Sequence, residues 1–149
     1  MADTRIQAQV EDWIRKDWMP GKFGQQFRRE RMRLSSGGVF DFDAVSTDDR
    51  IVASISTSGG KTSGGKLGVG KLQKLRADML FLTMVVADKR LMVLTERDMY
   101  EICLKEKQGG RVPLGIEFYL VELPPELAGK LRDAKEQASQ EVRPAGPDG

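Results

Sequence analysis

Apolar residues at Ile6, Val10, Trp13, Ile14 and Trp18 recur at the three- and four-residue spacing of one helix face, and Pro20-Gly21 closes the pattern, so residues 4 to 19 are expected to form an amphipathic helix. Its two tryptophans are expected to pack on a sheet. The pattern then changes. Residues 22 to 34 carry Lys22, Arg28, Arg29, Arg31 and Arg33 among Phe27, Met32 and Leu34, which fits a basic edge strand ending at the Ser-Ser-Gly-Gly turn, 35 to 38. Val39 to Ser46 and Arg50 to Ser58 follow as two short β-type runs around Thr47-Asp48-Asp49, a hairpin signal. The three strands together predict an antiparallel meander.

Beyond a glycine-rich loop, Gly59 to Gly70, a second helix is marked by Leu72, Leu75, Met79, Leu82 and Val86; its C-terminal half is apolar nearly all round and is expected to be buried. Leu91 to Leu94 is a short continuous apolar run suited to a central strand. Thr95, with Asp98 three residues on, resembles a capping box opening a third helix striped by Met99, Ile102 and Cys103 and ended by Gly109-Gly110. Ile116 to Leu123 reads as the last strand, Pro125 to Ser139 as an amphipathic helix, and 141 to 149 as a disordered tail. The expectation is one α/β domain over residues 1 to 140, with a mixed central sheet, an N-terminal antiparallel meander and flanking helices.

Composition narrows the chemistry more than the fold. A chain of 149 residues with 40% apolar content is long enough for one hydrophobic core, and a formal net charge of +2 does not by itself indicate a polyanionic partner. The single cysteine, Cys103, forms no intramolecular disulfide and is expected to fill the core. No apolar run is long enough to cross a bilayer, and a cytoplasmic location is the expectation. Histidine is absent, which excludes Ser-His-Asp and Cys-His machinery and histidine-bound metals. Any hydrolysis must rest on carboxylates, lysines or a bound ion.

Charge is clustered locally. Between Asp49 and Asp78 there is no acidic residue, whereas Arg50, Lys61, Lys66, Lys71, Lys74 and Arg76 fall there, several within or beside the glycine-rich loop. An anionic partner is the expectation, with phosphates contacted by Arg28, Arg29, Arg31 and Arg33 of the edge strand and by Lys61, Lys66, Lys71 and Lys74. Gly60-Lys61-Thr62 matches the end of a P-loop, but Ile55 stands where the motif requires its first glycine, so nucleotide hydrolysis of that type is not expected. Strict alternation places Asp41 and Asp43 on one face of their strand, and Ser54, Ser56 and Ser58 on one face of the next. If those faces align, carboxylates meet a serine row, an oxygen-rich lining of the kind Mg²⁺ favours.

The run Gly38 to Ser46, a tight turn, Ile51 to Ser58, a glycine-rich loop and a long helix resembles the core of the restriction-endonuclease-like, PD-(D/E)XK, nuclease superfamily over residues 5 to 95. That core runs helix, three-stranded meander, helix, strand. The resemblance implies that Asp43 is the family's metal-binding aspartate. Ser54 and Ser56 fall where the family has its glutamate and lysine, so the resemblance is to a degenerate member. It further implies that Lys61, Lys71 or Lys74 replaces the lysine, and Asp41, Asp78 or Glu11 adds a second ligand, if Mg²⁺-dependent cleavage survives. The expected function is nucleic-acid binding by a catalytically degenerate nuclease-like fold. The alternatives are an active metal-dependent nuclease with a rearranged site, and a non-catalytic scaffold or interaction protein; a homodimer is the default assembly.

Overall fold

The computed structural model describes residues 4–61 and 68–142. Its elements run α1 (Thr4–Trp13), a π-helical turn (Ile14–Trp18), α2 (Met19–Phe23), β1 (Phe27–Arg33), β2 (Val39–Ser46), β3 (Ile51–Ser56), α3 (Val69–Thr83), β4 (Lys89–Leu94), α4 (Arg97–Gln108), β5 (Ile116–Leu120) and α5 (Pro125–Val142). The five strands form one mixed sheet in sequence order, β1 and β2 antiparallel, β2 and β3 antiparallel, and β3, β4 and β5 parallel. The expected mixed α/β architecture with an N-terminal meander is present.

Side-chain alternation along the strands divides the core into two layers. Val52, Met92, Leu94, Ile116 and Phe118 point to one face, where Leu72, Leu75, Met79 and Leu82 of α3 and Met99 and Cys103 of α4 cover them. Ile51, Ala53, Ile55, Leu91 and Val93 point to the other, against Val10 of α1, Ile14, Met19 and Leu131 of α5. Trp13 and Trp18 pack on this second layer as expected, Trp18 meeting Tyr119 of β5 edge-on with ring centroids 5.8 Å apart. Cys103 is buried, and burial pushes its thiol up to about 11, consistent with a core filler.

Several boundaries differ from the sequence reading. The first helix does not stop at Pro20. Met19 N–H reaches back five residues to Ile14, and the widened turn restarts the helix so that Pro20 falls in a new first turn, where its missing N–H costs no bond. The helix ends instead at Gly24, whose φ of 74° is a left-handed cap that a side chain would disfavour. α3 is less enclosed than its composition suggests: it ends at Thr83, Leu80 is 56% exposed, and Val86 lies beyond it at 82%. The Thr95–Asp98 capping box does not form. Thr95 Oγ1 donates to Glu96, Glu96 occupies the cap position without a side-chain bond, and Asp98 accepts from the adjacent Met99 N–H. α5 continues to Val142, and the remainder of the expected tail lies outside the described residues.

Candidate functional site

The β2–β3 pairing is short. Ala44 faces Ala53 and Val45 faces Val52, after which β2 pairs with β1 and β3 with β4, so the two strands part beyond Asp43. β2 also carries a bulge there. Arg28 faces Val45 and Glu30 faces Phe42, so Asp43 and Ala44 together oppose the single residue Arg29. The Asp43 carboxylate lies across the resulting fork and its Oδ2 accepts the Ile55 N–H at 2.8 Å, a backbone donor that a regular ladder would have paired. On the other side of the same residue, the Asp43 carbonyl accepts from Arg15 Nε at 2.7 Å.

Two further carboxylates approach this fork from opposite layers, Glu11 from α1 and Asp78 from α3. Burial pushes all three above the ordinary carboxylate range; Asp43 raises both Glu11 and Asp78 further, while the Ile55 bond and Arg29, Arg15 and Lys74 hold Asp43 down. Lys74 Nζ stands 3.7 Å from Asp78 Oδ2, one turn earlier on α3. Three half-buried acids thus share one fork with the Arg15 guanidinium, while Arg29 and Lys74 act on it from exposed positions.

The expected alignment of two carboxylates with a serine row does not occur. Asp41 is on the exposed edge, bonded by Arg31 Nε at 2.9 Å, and that guanidinium holds its carboxyl below the usual range. Ser54 lies on the α3 side of β3, opposite Ala53 and Ile55, and is 2% exposed, while Ser56 Oγ accepts the Ser58 N–H. The bulge is the reason, because one extra residue in β2 breaks the alternation that the alignment assumes.

The predicted cations separate into groups. Arg29, Arg31 and Arg33 alternate along one exposed face of β1, ending opposite the fork. Arg28 is committed to Glu30, Asp49 and the Ser46 carbonyl. Lys61 and Lys71 line a cleft of about 1480 Å³ at the carboxyl ends of β3, β4 and β5, together with Gln7 of α1 and Arg132 of α5. The cleft is mixed in sign, since Glu96, Asp98, Glu122 and Glu136 line it too, and Glu96 pairs with Lys135 at 3.2 Å. It abuts the fork along both helices: Gln7 precedes Glu11 by one turn, and Lys71 precedes Lys74 by one. Among the described residues none of Arg29, Arg33, Lys61 and Lys71 forms an ion pair. Lys66 lies outside the described residues.

Lys61 and Lys71 therefore belong to the cleft, and Lys74 is the lysine coupled to Asp43. Of the expected second carboxylates, Glu11 and Asp78 reach the fork and Asp41 does not. Arg15 is the one member that the sequence did not expose, because its contact with the Asp43 carbonyl is long-range and leaves no mark in the helical periodicity. As a metal site the fork is incomplete: among the described residues no three acidic, cysteine or histidine groups are arranged to hold an ion, and one Asp43 oxygen already accepts a backbone N–H. No family model, curated protein or solved structure matches this chain.

Proposed function

We propose that this protein binds nucleic acid through a restriction-endonuclease-like fold whose nuclease site is degenerate. The observation that carries the reading is the fork itself, a half-buried Asp43 at the parting of the second and third meander strands, approached by the exposed arginine row of β1. Helix, meander, helix and strand occur in the superfamily's order, and Ser54 and Ser56 supply neither the metal ligand nor the cation that phosphodiester cleavage requires. Arg29, Arg33, Lys61 and Lys71, exposed and without ion-pair partners among the described residues, are available to phosphates without breaking an internal contact. The gathering of Glu11, Asp78 and Lys74 around Asp43 favours a second reading, an active nuclease with a rearranged site, but the donor set does not assemble into a metal centre.

Fluorescence anisotropy of labelled single- and double-stranded DNA at two salt concentrations tests the proposal. Binding that weakens steeply with salt and falls in an Arg29→Ala/Arg33→Ala/Lys71→Ala variant is expected. Absence of binding at low salt overturns it. Cleavage in Mn²⁺ that is abolished by Asp43→Ala replaces it with the second reading.

A further inference from the structure

The two described ends of the glycine-rich segment are tied together at the cleft. Gly68 N–H donates to the Gly60 carbonyl at 2.9 Å, and Gly60 packs so closely on the first turn of α4 that a Cβ there would stand 3.2 Å from the Met99 nitrogen. Lys61 therefore leaves from a held point of the backbone. The Lys71 stem lies back along Gly68, its Cδ 3.3 Å from the place a Gly68 Cβ would take. Both lysines line the cleft, and neither has an ion-pair partner among the described residues. α3 starts between them; it is 15 residues long, has no acidic side chain in its first turn, and no side chain caps its N–H groups, so its free donors and dipole add to the lysine charges. Thr57 follows β3 and lines the same cleft. It is 9% exposed, and its hydroxyl has no hydrogen-bond partner among the described residues, which is uncommon for a buried polar group. The far end of the cleft is of another kind. Leu120, Leu123 and Leu131 give it an apolar wall, Glu122 and Glu136 are acids, and Lys135 is taken by Glu96 at 3.2 Å.

We infer that the cleft holds the terminal phosphate of a nucleotide, a phosphate monoester seated between Lys61 and Lys71 at the start of α3, with Thr57 as a further donor and the nucleoside along the apolar wall. A monoester carries about two negative charges near neutral pH, which the two unpaired lysines match. An internal phosphodiester carries about one charge and leads the chain onward on both sides, so its neighbouring phosphates would meet Glu122 and Glu136. The cleft therefore suits one end group and not a run of phosphates. That end group belongs either to a nucleic-acid strand or to a free mononucleotide, and its recognition is the same in both. Only the strand-end form rests on the function proposed above.

The test compares single-stranded DNA of one sequence bearing a phosphate or a hydroxyl at its 5′ end, and likewise at its 3′ end, by fluorescence anisotropy on the full chain. Adenosine 5′-monophosphate, adenosine and inorganic phosphate are titrated in parallel by calorimetry. One phosphorylated end is expected to bind about tenfold more tightly than its hydroxyl counterpart, the scale of one charge-assisted hydrogen bond. Lys61→Ala/Lys71→Ala should abolish that ratio, and Thr57→Val, which keeps the shape and removes only the hydroxyl, should reduce it without lowering Tm. Arg29→Ala/Arg33→Ala should weaken both strands alike and leave the ratio unchanged. The monophosphate is expected to bind and adenosine not. A phosphorylated-end preference without binding of the free monophosphate supports the inference and assigns the cleft to strand ends. Equal affinity for both kinds of end together with no binding of the monophosphate overturns it, as does a preference that survives Lys61→Ala/Lys71→Ala. Inorganic phosphate bound as tightly as the monophosphate also overturns it, because the nucleoside then takes no part. Monophosphate binding that is lost in Lys61→Ala/Lys71→Ala, with no DNA bound in any form, overturns the nucleic-acid reading and leaves the cleft standing as a nucleotide site.

Discussion

The parallel half of the sheet and its antiparallel half are built by different rules. In the parallel half, β3 pairs with β4 from Ile51–Lys89 through Ser56–Leu94 without a break, β4 pairs with β5 from Arg90 to Leu94, and Leu91, Met92, Val93 and Leu94 are all buried. In the antiparallel half, β2 is bulged, the β2–β3 ladder keeps only the Ala44–Ala53 and Val45–Val52 pairs, the first helix carries a π-helical turn, and carboxylates are drawn out of water. Regular apolar layers anchor the molecule on one side, and the irregular side holds the carboxylates whose burial raises their pKa. Strain and buried charge persist only where the surrounding structure over-determines them, and here the parallel half supplies that constraint.

The largest effect that separates the halves is expected from Leu91→Ala. Leu91 is fully buried on a central strand, and truncation leaves a cavity that both neighbouring strands hold open, at a cost of about 3 kcal/mol. Thermal unfolding should show a loss of about 10 °C in Tm for a chain of this size. A loss near zero would mean that the layer under α1 and α5 is loosely packed and does not constrain the irregular half. A smaller cost, about 1 kcal/mol, is expected from Gly60→Ala, whose Cβ would stand 2.4 Å from Ile102 Cδ1 and 3.2 Å from the Met99 nitrogen. Ile102 has room only if its rotamer changes; an unaltered Tm would place the loop further from the first turn of α4.

At the fork the sign reverses. Burial raises Asp43, Glu11 and Asp78 above their ordinary values. The unfolded chain therefore binds fewer protons than the folded one between the ordinary and the raised pKa values, and the stability these groups contribute is present below the ordinary carboxylate range and lost as pH rises through the raised values. Asp43→Asn keeps an oxygen to accept the Ile55 N–H and removes the charge. It should stabilise the protein at about pH 7 by on the order of 1 kcal/mol, with the advantage shrinking toward about pH 4. Because Asp41, Asp48 and Glu106 are lowered and push the other way, the quantity to measure is the difference between variant and parent in urea midpoints across pH. A destabilised Asp43→Asn at neutral pH would mean that Arg15 and Arg29 compensate the carboxylate completely.

Most of the regular half was legible from the residues. Leu91 to Leu94 named the central strand, and Leu72, Leu75, Met79 and Leu82 named the buried stripe of α3, because periodicity and burial agree wherever the backbone is regular. Asp43, Glu11, Asp78 and Lys74 were also readable as candidates. Their arrangement was not. A bulge adds one residue to β2 and reverses the face of everything on one side of it, which is why simple alternation groups Asp41 with Asp43 and the serine row whereas Asp41 stands at the edge with Arg31. A π-helical turn does the same to the first helix, hiding Arg15 and carrying the chain past Pro20. Both irregularities depend on long-range packing, which no local pattern encodes.

The smallest expected effect on stability and the sharpest on function come from the same substitution, Arg31→Ala. Arg31 and Asp41 form a solvent-exposed pair on the edge strand, and such pairs contribute little because water screens them and the side chains lose freedom in forming them. Tm should therefore not move measurably. If the arginine row of β1 meets phosphates, removing Arg31 should lower DNA affinity across sequences alike and reduce the slope of log affinity against log salt by about one. Asp41→Ala frees Arg31 from its internal partner and should change affinity in the opposite direction, also without moving Tm. A row that served only to guard the sheet edge would leave both affinities and the slope unchanged, and would instead reveal itself as concentration-dependent association of Arg31→Ala through the exposed β1 strand.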